Sequence, residues 1–573
     1  MTYFERYKIW CSSPCFDKKT KEELMSIKGD DKEIQNRFYK ELDFGTGGLR
    51  GIMGNGSNRM NIYTVRKATQ GIANYINNNE NINKSIVIAY DSRNMSKEFA
   101  LETALCFNAN GIKTFLFSTL QPTPILSFAV SHLKCTAGIV ITASHNPPQY
   151  NGYKVYWSDG GQIIPPLDKN IISYVNNIVD YNKIKTTNQL EAMKSGLFNV
   201  IGNEVENAFI DSVKKITFTA KDLSKEKSKL KIVYTPLHGA GNVPVQRILK
   251  ENGYKNVYVV KEQEQPNGDF STVKSPNPED IKAFEMALLL AKEKDADIVL
   301  ATDPDADRLG VYVKDNKGRY TCFNGNMIGS IMAEYILSQM KFSNSIPTNG
   351  AIVKTIVTTK MLKAIAESYG VSVVQVLTGF KYIGAKINEF FELRTYHYIL
   401  GVEESYGYLP GTYVRDKDAI GSVAVLCEMA AYYKSIGVDL CQVMEDMYKC
   451  YGYYKEQLFS IALEGVAGEE KIKTIMMVLR QNPPQQIGEY KVCNILDYQE
   501  QTELNVALNT KKLLKTNRSN VMYFEMENDS FCCVRPSGTE PKIKIYLGVR
   551  EKSSTRADEK LQDIKNDIYA LFK

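Results

Sequence analysis

The 573-residue chain contains no window of about 18 uninterrupted apolar residues, so no membrane-spanning helix is expected. Its first residues, Met1-Thr2-Tyr3-Phe4-Glu5-Arg6, lack the apolar core of a secretory leader. Basic residues form no run longer than pairs such as Lys214-Lys215 and Lys511-Lys512, and 71 Lys+Arg against 65 Asp+Glu leave a net charge of only +6. A dedicated nucleic-acid binder concentrates far more basic charge, so that class is set aside. The eleven cysteines have no regular spacing, and their odd number argues against a disulfide framework. Cys11 and Cys15 lack the second Cys or His pair that a four-ligand zinc site needs. These absences predict a cytoplasmic chain in a reducing compartment, with neither membrane nor nucleic acid as partner. An apolar share of 43% and a charged share of 24% also exclude a wholly disordered or fibrous chain. At about 150 residues per domain, the length predicts roughly four domains.

What is present is a strand–helix–strand grammar that occurs three times. The first copy opens with Ile86-Val87-Ile88-Ala89-Tyr90, running into Asp91-Ser92-Arg93. A helix is predicted over Ser96 to Asn108, followed by strands Lys113 to Phe117 and Ala137 to Ile141. The second copy has strands Leu230 to Tyr234, Val257 to Val260 and Ile298 to Ala301, with a helix from Val243 to Glu251. The third has strands Ala351 to Val357, Val373 to Leu377 and His397 to Leu400, with a helix from Lys360 to Ser368. Short β-branched runs alternating with Gly-stopped helices predict βαβ units. Near-continuous apolar strands suit sheets covered on both faces, and ligands of such sheets gather beyond the strands' carboxyl ends. Each third strand runs straight into an unusual polar loop, which predicts one composite site.

The chain after residue 455 reads as a small α+β domain. Its predicted strands are Lys491 to Ile495, Val521 to Met526 and Lys542 to Leu547, before a helix from Ser554 to Phe572. Residues 1–40 follow none of these patterns, and the 180–230 stretch reads as a helical connector.

The loops carry the chemistry. Asp303, Asp305 and Asp307 alternate with Pro304 and Ala306, and an extended segment would put all three carboxylates on one side. Like charges this close repel unless a cation sits among them, and hard oxygen ligands suit Mg²⁺. An EF-hand is excluded, since Arg308 and Lys314 stand where its Gly and Glu belong. Ser144, between Thr142-Ala143 and His145-Asn146-Pro147, follows an apolar strand and can be a nucleophile, a phosphate acceptor or a turn residue. Gly45-Thr46-Gly47-Gly48-Leu49-Arg50-Gly51 reads as an anion-binding loop or a flexible turn. Arg535-Pro536-Ser537-Gly538-Thr539 combines a guanidinium, two hydroxyls and an open backbone that can wrap a phosphate. Glu403-Glu404-Ser405 suits sugar hydroxyls or a helix start, and Thr378-Gly379-Phe380-Lys381-Tyr382 ends another strand with a cation beside aromatics.

In this order, the four loops around Ser144, Asp303 to Arg308, Gly401 to Gly407 and Arg535 to Thr539 resemble those of the α-D-phosphohexomutase superfamily. The likeness spans residues 40–550, with Val402 inserted between the Gly and the Glu pair of the commonest sugar loop. The segment Asp43 to Gly51, with Arg59-Met60-Asn61 after it, is similar to the bacterial and phosphoglucomutase 2-like subgroup, which includes enzymes preferring pentose phosphates.

The resemblance implies three tandem related α/β domains with mixed sheets plus a smaller α+β C-terminal domain around a central cleft. Their expected bounds are 1–212, 213–324, 325–452 and 453–573. It implies a phosphoserine at Ser144 and one Mg²⁺ held by Ser144, Asp303, Asp305 and Asp307. Arg50, Arg308 and Lys417 would contact phosphate or stabilise its transfer, and His145 or Lys417 would handle the hydroxyl proton. Thr378, Gly379, Lys381, Glu403 and Ser405 would bind the sugar, while Arg535, Ser537, Gly538 and Thr539 would bind its other phosphate. The implied reaction interconverts glucose 1-phosphate and glucose 6-phosphate, with glucose 1,6-bisphosphate as intermediate and activator. Pentose or mannose phosphates are alternative substrates, a bisphosphate synthase is a less favoured reading, and a catalytically silent sugar-phosphate binder is a further class. The expected assembly is a monomer or weak homodimer.

Overall fold

Runs of Ile and Val with no polar face form the centre of the first sheet in the structure, a computed structural model that describes residues 1–45, 47–79, 83–463, 465–537 and 542–571. Its strands are β1 (Gly48–Ile52), β2 (Ser85–Tyr90), β3 (Lys113–Phe117), β4 (Ala137–Ile141), β5 (Tyr150–Trp157) and β6 (Phe198–Ile201), in the order β1-β5-β4-β2-β3-β6. β4, β2, β3 and β6 run parallel, while β5 and β1 pair antiparallel at one edge. Every residue of β2 and β4 is buried, as strands covered on both faces require. Helices Ile62–Asn77 and Ser96–Ala109 bury Val65, Ile72, Ile76, Phe99 and Phe107 in this core. The first of them is capped by Asn61, whose side chain accepts from the Tyr63 and Thr64 amides.

Two expectations change here. The glycine-rich segment is largely a strand rather than a loop: Gly48 to Gly51 lie in β1, opposite β5. Gly48 has φ +132, and a Cβ there would meet the Tyr153 carbonyl oxygen at 1.8 Å, so close strand approach explains that glycine. The 180–230 stretch is more than a helical connector, because β6 within it adds to the sheet beside β3. Residues 1–40 form helices Tyr3–Ser12, Lys18–Ser26 and Asp31–Phe38 around an aromatic cluster of Tyr7, Trp10, Phe16, Phe38 and Tyr63.

The second sheet repeats the logic with β7 (Lys231–Thr235), β8 (Asn256–Val259), β9 (Ile298–Thr302), β10 (Leu309–Lys314) and β11 (Tyr320–Phe323), ordered β11-β10-β9-β7-β8. β8, β7 and β9 are parallel, and β10 and β11 return antiparallel. In both sheets the third predicted strand, β4 or β9, ends in a polar loop whose chain comes back antiparallel. The strand-end rule for ligand sites applies to both.

By packing, residues 1–324, 380–401 and 405–437 form one unit and residues 325–379, 402–404 and 438–573 another. Within the second, β12 (Gly350–Thr355) and β13 (Ser372–Val376) pair in parallel. β14 (His397–Glu403) carries the chain from the first unit into the second, and β15 (Gly407–Leu409) follows it. The tail forms an antiparallel sheet of β16 (Tyr453–Ala462), β17 (Gln486–Ile487), β18 (Tyr490–Asp497), β19 (Thr502–Asn505), β20 (Thr510–Leu513), β21 (Met522–Met526), β22 (Phe531–Pro536) and β23 (Lys542–Glu551). Ile475, Met476 and Leu479 of helix Gly465–Gln481 and Leu561, Ile564 and Ile568 of helix Ser554–Leu571 bury its apolar face.

Candidate active site

Ser144 stands just past β4 in a left-handed turn, with φ +51. A non-glycine residue in that region is uncommon and is held by its surroundings. The Thr142 hydroxyl accepts from the Ser144 amide at 2.8 Å, and Arg93 donates to the Ser144 carbonyl at 2.6 Å. The Ser144 hydroxyl then reaches two partners. It donates to Asp303 Oδ2 at 2.6 Å, and it lies 3.2 Å from His145 Nδ1.

The aspartate loop is a turn rather than the extended segment that alternation suggested. Ala306 is left-handed at φ +46, and its amide donates back to the Asp303 carbonyl. The carboxylates converge because the turn folds them together: their ligand atoms all lie within 4.8 Å of one another, and all three residues are buried. Three separate segments hold the loop by backbone bonds. Ala240 N donates to Pro304 O, Thr123 N to Asp305 O and Ala419 N to Ala306 O.

Each carboxylate has a distinct environment. Asp303 Oδ1 accepts from the Asp307 and Arg308 amides. Burial, with Asp307 and Asp305 adding repulsion, pushes its carboxyl well above the ordinary range. Asp305 Oδ2 accepts from Thr123 Oγ1 at 2.8 Å and from Lys154 Nζ at 2.6 Å. Asp307 Oδ2 lies 3.2 Å from Lys154 Nζ and 2.9 Å from Lys417 Nζ. Against burial, Lys417 and Lys154 hold Asp307 far below the usual carboxylate range. Asp305 Oδ1 and Asp307 Oδ1 are buried without a hydrogen-bond partner among the described residues. Buried anionic oxygens left open in this way suit a hard cation, so the three aspartates fit a divalent metal.

Cations surround this centre. Arg308 pairs with Glu279 and lies 3.8 Å from Asp307. Arg50, in β1, donates to Asn146 Oδ1 at 3.1 Å. Burial and the Arg308 and Arg50 cations hold the His145 imidazole well below its ordinary value, which leaves it neutral. The loop bearing Lys417 is fixed from both sides: Tyr156 donates to Asp416 Oδ2 at 2.6 Å, and Asp418 caps helix Ala419–Ser435. The structure therefore brings together Ser144, His145, Arg50, Arg308, Lys417 and the three aspartates.

Sequence reasoning passed over Lys154 and Arg93. Lys154 is the one charged residue in an otherwise uncharged strand, and that lone charge was the available signal. Arg93 was visible only as the end of a strand-terminal Asp-Ser-Arg.

The remaining predicted residues are described where they lie. Leu309 N donates to Tyr406 O at 3.0 Å, which sets Ser405 one residue from the strand after the aspartate loop. Lys381 Nζ sits 5.3 Å from the Tyr382 ring centroid. In the second unit, Glu403 is buried at the end of β14. Glu404 Oε2 accepts from Thr355 and Thr358, while Glu404 Oε1 and Thr378 Oγ1 are buried without a partner among the described residues. Gly379 has φ +118. Arg535 lies in β22 opposite Lys544, and Ser537 N donates to Lys542 O. Gly538 and Thr539 fall outside the described residues.

The same unit holds two further charges, Lys354 buried and Glu456 half-buried. Lys354 is fully buried and donates to the Thr355 and Thr358 carbonyls. Burial, with Lys360 adding, pushes its ammonium down to about 7. Glu456 accepts from Asn326 at 3.0 Å, and burial pushes it up to about 7.

Family models for phosphoglucomutase/phosphomannomutase α/β/α domains I, II and III match residues 41–182, 207–318 and 324–451. A phosphoglucomutase of Staphylococcus haemolyticus is 36% identical over 533 residues, covering 93% of this chain and 94% of its own. A phosphoglucomutase of Staphylococcus aureus is 37% identical over 520 residues, covering 91% and 92%. Among solved structures, the open form of the Paramecium phosphoprotein parafusin, a phosphoglucomutase, superposes with TM-score 0.68 at 18% identity over 93% of this chain and 94% of its own. A phosphoglucomutase/phosphomannomutase family protein of Burkholderia thailandensis gives 0.66 at 18% identity, over 93% and 98%. At that identity the two structures show a shared multi-domain fold. The chain is thus a mixed α/β enzyme of the phosphotransferase-isomerase class. It belongs to the phosphoglucomutase/phosphomannomutase family and has mutase activity. Among the described residues, no helix is long and apolar enough to cross a membrane.

Proposed function

We propose that the chain interconverts glucose 1-phosphate and glucose 6-phosphate, with Ser144 as a reversible phosphate carrier. The observation that carries this reading is the Ser144 hydroxyl at 2.6 Å from Asp303, inside a ring of buried carboxylates and cations. Phosphoryl transfer demands mainly positioning and charge stabilisation, and this centre supplies both. Asp303, Asp305 and Asp307 would hold Mg²⁺ together with an oxygen on Ser144. The ion would supply charge compensation for the transferred group.

The residues divide the remaining work. Lys417, Arg308 and Arg50 counter the phosphoryl charge. His145, next to the Ser144 hydroxyl, takes the proton of the accepting sugar hydroxyl. Glu403, Ser405, Thr378, Gly379 and Lys381 hold the sugar, and Arg535, Ser537, Gly538 and Thr539 hold the phosphate that is not moving. The phosphoryl passes from Ser144 to the 6-hydroxyl of glucose 1-phosphate. The resulting 1,6-bisphosphate turns over and returns its 1-phosphate to Ser144, so no phosphate is consumed. The eleven free thiols fit a reducing cytoplasm.

Intact-mass analysis with phosphopeptide mapping tests the carrier. Phosphate is expected on Ser144, and Ser144→Ala is expected to lose at least about a thousandfold in kcat, as removal of a nucleophile does. Wild-type activity in Ser144→Ala sinks the reading. Competition among glucose, mannose and ribose 1-phosphates tests the sugar, and a clear preference for ribose overturns the glucose assignment.

A further inference from the structure

We propose that the segment Gln265–Glu279 is a positioning strap that sets the register between the Ser144 loop and the aspartate loop, with Phe270 and Arg93 as its key pair. The proposal rests on the reading of Ser144 as phosphate carrier.

The Arg93 side chain is completely buried, and its one acidic partner among the described residues is Asp91 at 3.4 Å. Its donors go instead to four carbonyls. Nη1 bonds Pro147 O and Tyr150 O, each at 3.0 Å, and Nη2 bonds Ser144 O and Asn146 O. These carbonyls bracket the turn that holds Ser144 left-handed. Only a planar fork with several donors can serve four acceptors at once, and a lysine cannot.

Phe270 lies over this guanidinium, with its ring centroid 4.9 Å from the Arg93 carbon. A buried cation against an aromatic ring gains from the ring quadrupole. Phe270 is itself fully buried and left-handed, with φ +46. A bulky side chain there is strained and persists only where its surroundings over-determine it.

The surroundings are the strap's other contacts. Asn94 donates to Asp269 at 2.7 Å, and Ser275 donates to the His145 carbonyl at 2.8 Å. Both lie on the Ser144 side. On the aspartate side, Glu279 pairs with Arg308. The His238 ring lies between the Gln265 carbonyl and the Thr272 hydroxyl, two residues before Ala240, whose amide holds Pro304 O. One segment thus touches both loops whose meeting point is the Ser144–Asp303 bond.

The test uses the full-length protein and measures kcat, KM, melting temperature and Ser144 phosphate. F270L keeps apolar bulk but loses the ring, and R93K keeps charge but loses the fork. Each is expected to lower kcat about 10- to 100-fold with KM within about threefold of wild type, the range for groups that orient a reactive set. Because the two residues act through one contact, the double variant is expected to be no worse than the poorer single one. A folded F270L with kcat within about twofold of wild type overturns the strap, as do single effects that multiply in the double variant. If F270L does not fold, S275A decides instead. It deletes one bond to the His145 carbonyl and is expected to lose kcat without loss of melting temperature; unchanged kcat overturns the strap. Absence of phosphate on wild-type Ser144 sinks the carrier reading, whereas a phosphorylated wild type beside a fully active F270L sinks the strap alone.

Discussion

The polar centre of the first unit and that of the second bury similar groups in opposite ways. Around Ser144 and the aspartates, the buried lysine Lys154 has carboxylate partners and the loops are tied by backbone bonds from several segments. In the second unit, among the described residues, Lys354 bonds carbonyls, Glu404 has an open oxygen and Thr378 an open hydroxyl. A centre whose loops are tied by backbone bonds from several segments is held in one geometry before any ligand arrives, which is what phosphoryl transfer needs. An under-satisfied centre carries free-energy cost that a polar ligand can relieve. The contrast separates a centre pinned by backbone bonds from one that leaves polar groups open to a ligand.

The largest expected effect comes from breaking the paired centre. Lys154→Met leaves Asp305 and Asp307 short of a buried cation and is expected to cost about 3–5 kcal/mol in chelator. Added Mg²⁺ is expected to restore part of that loss, because the three aspartates fit a divalent ion and a ligand of the native state stabilises it. A calorimetric melt in which Mg²⁺ stabilises K154M no more than wild type removes the idea that lysine and ion share these carboxylates.

The under-satisfied centre predicts an unusual pH profile. Glu456, raised from 4.5 to about 7, keeps a proton that the unfolded chain has released, so its contribution falls as pH rises from 4.5 to 7. Lys354, lowered from 10.5 to about 7, has released a proton that the unfolded chain keeps, so its contribution rises from pH 7 to 10.5. Together they place a minimum near pH 7 in this unit's stability. Glu456→Gln is expected to remove the falling limb, and melting curves from pH 5 to 9 read it directly. An unchanged slope between pH 5 and 7 counts against the assignment.

The smallest effect compares two threonines. Thr123→Val removes the hydroxyl that bonds Asp305 and is expected to destabilise by about 1–3 kcal/mol. Thr378→Val removes a hydroxyl with no partner among the described residues and is expected to be neutral or stabilising while raising KM. Equal losses in urea melts erase the distinction between the two centres.

Much of the fold was legible because Ile and Val runs end abruptly in polar loops, and those loops carry the candidate residues. β2, β4, β9 and β12 all fell within a residue or two of their expected bounds. What escaped depends on distance or on backbone conformation. Lys154 meets Asp305 from 151 residues away, and in β5 it resembles an ordinary solvent-facing position. β1 was hidden because Gly48 serves close strand approach and not a turn. The aspartate turn was hidden because its left-handed residue is an alanine, which gives no local signal for that conformation. The aromatic helices of residues 1–40 are held by tertiary packing on Tyr63, which short windows do not reveal.

The three backbone bonds that hold the aspartate loop have a consequence for biosynthesis. Their donors, Thr123, Ala240 and Ala419, are spread over nearly three hundred positions of chain. During synthesis from the amino end, the loop can be complete only after residue 419 has emerged, so the acidic triad matures late. A nascent chain therefore carries the three carboxylates without their full set of backbone ties while the stretch from Asp307 to Ala419 is being made. Because these donors are main-chain amides, proline is the replacement at any of the three positions that removes a bond outright.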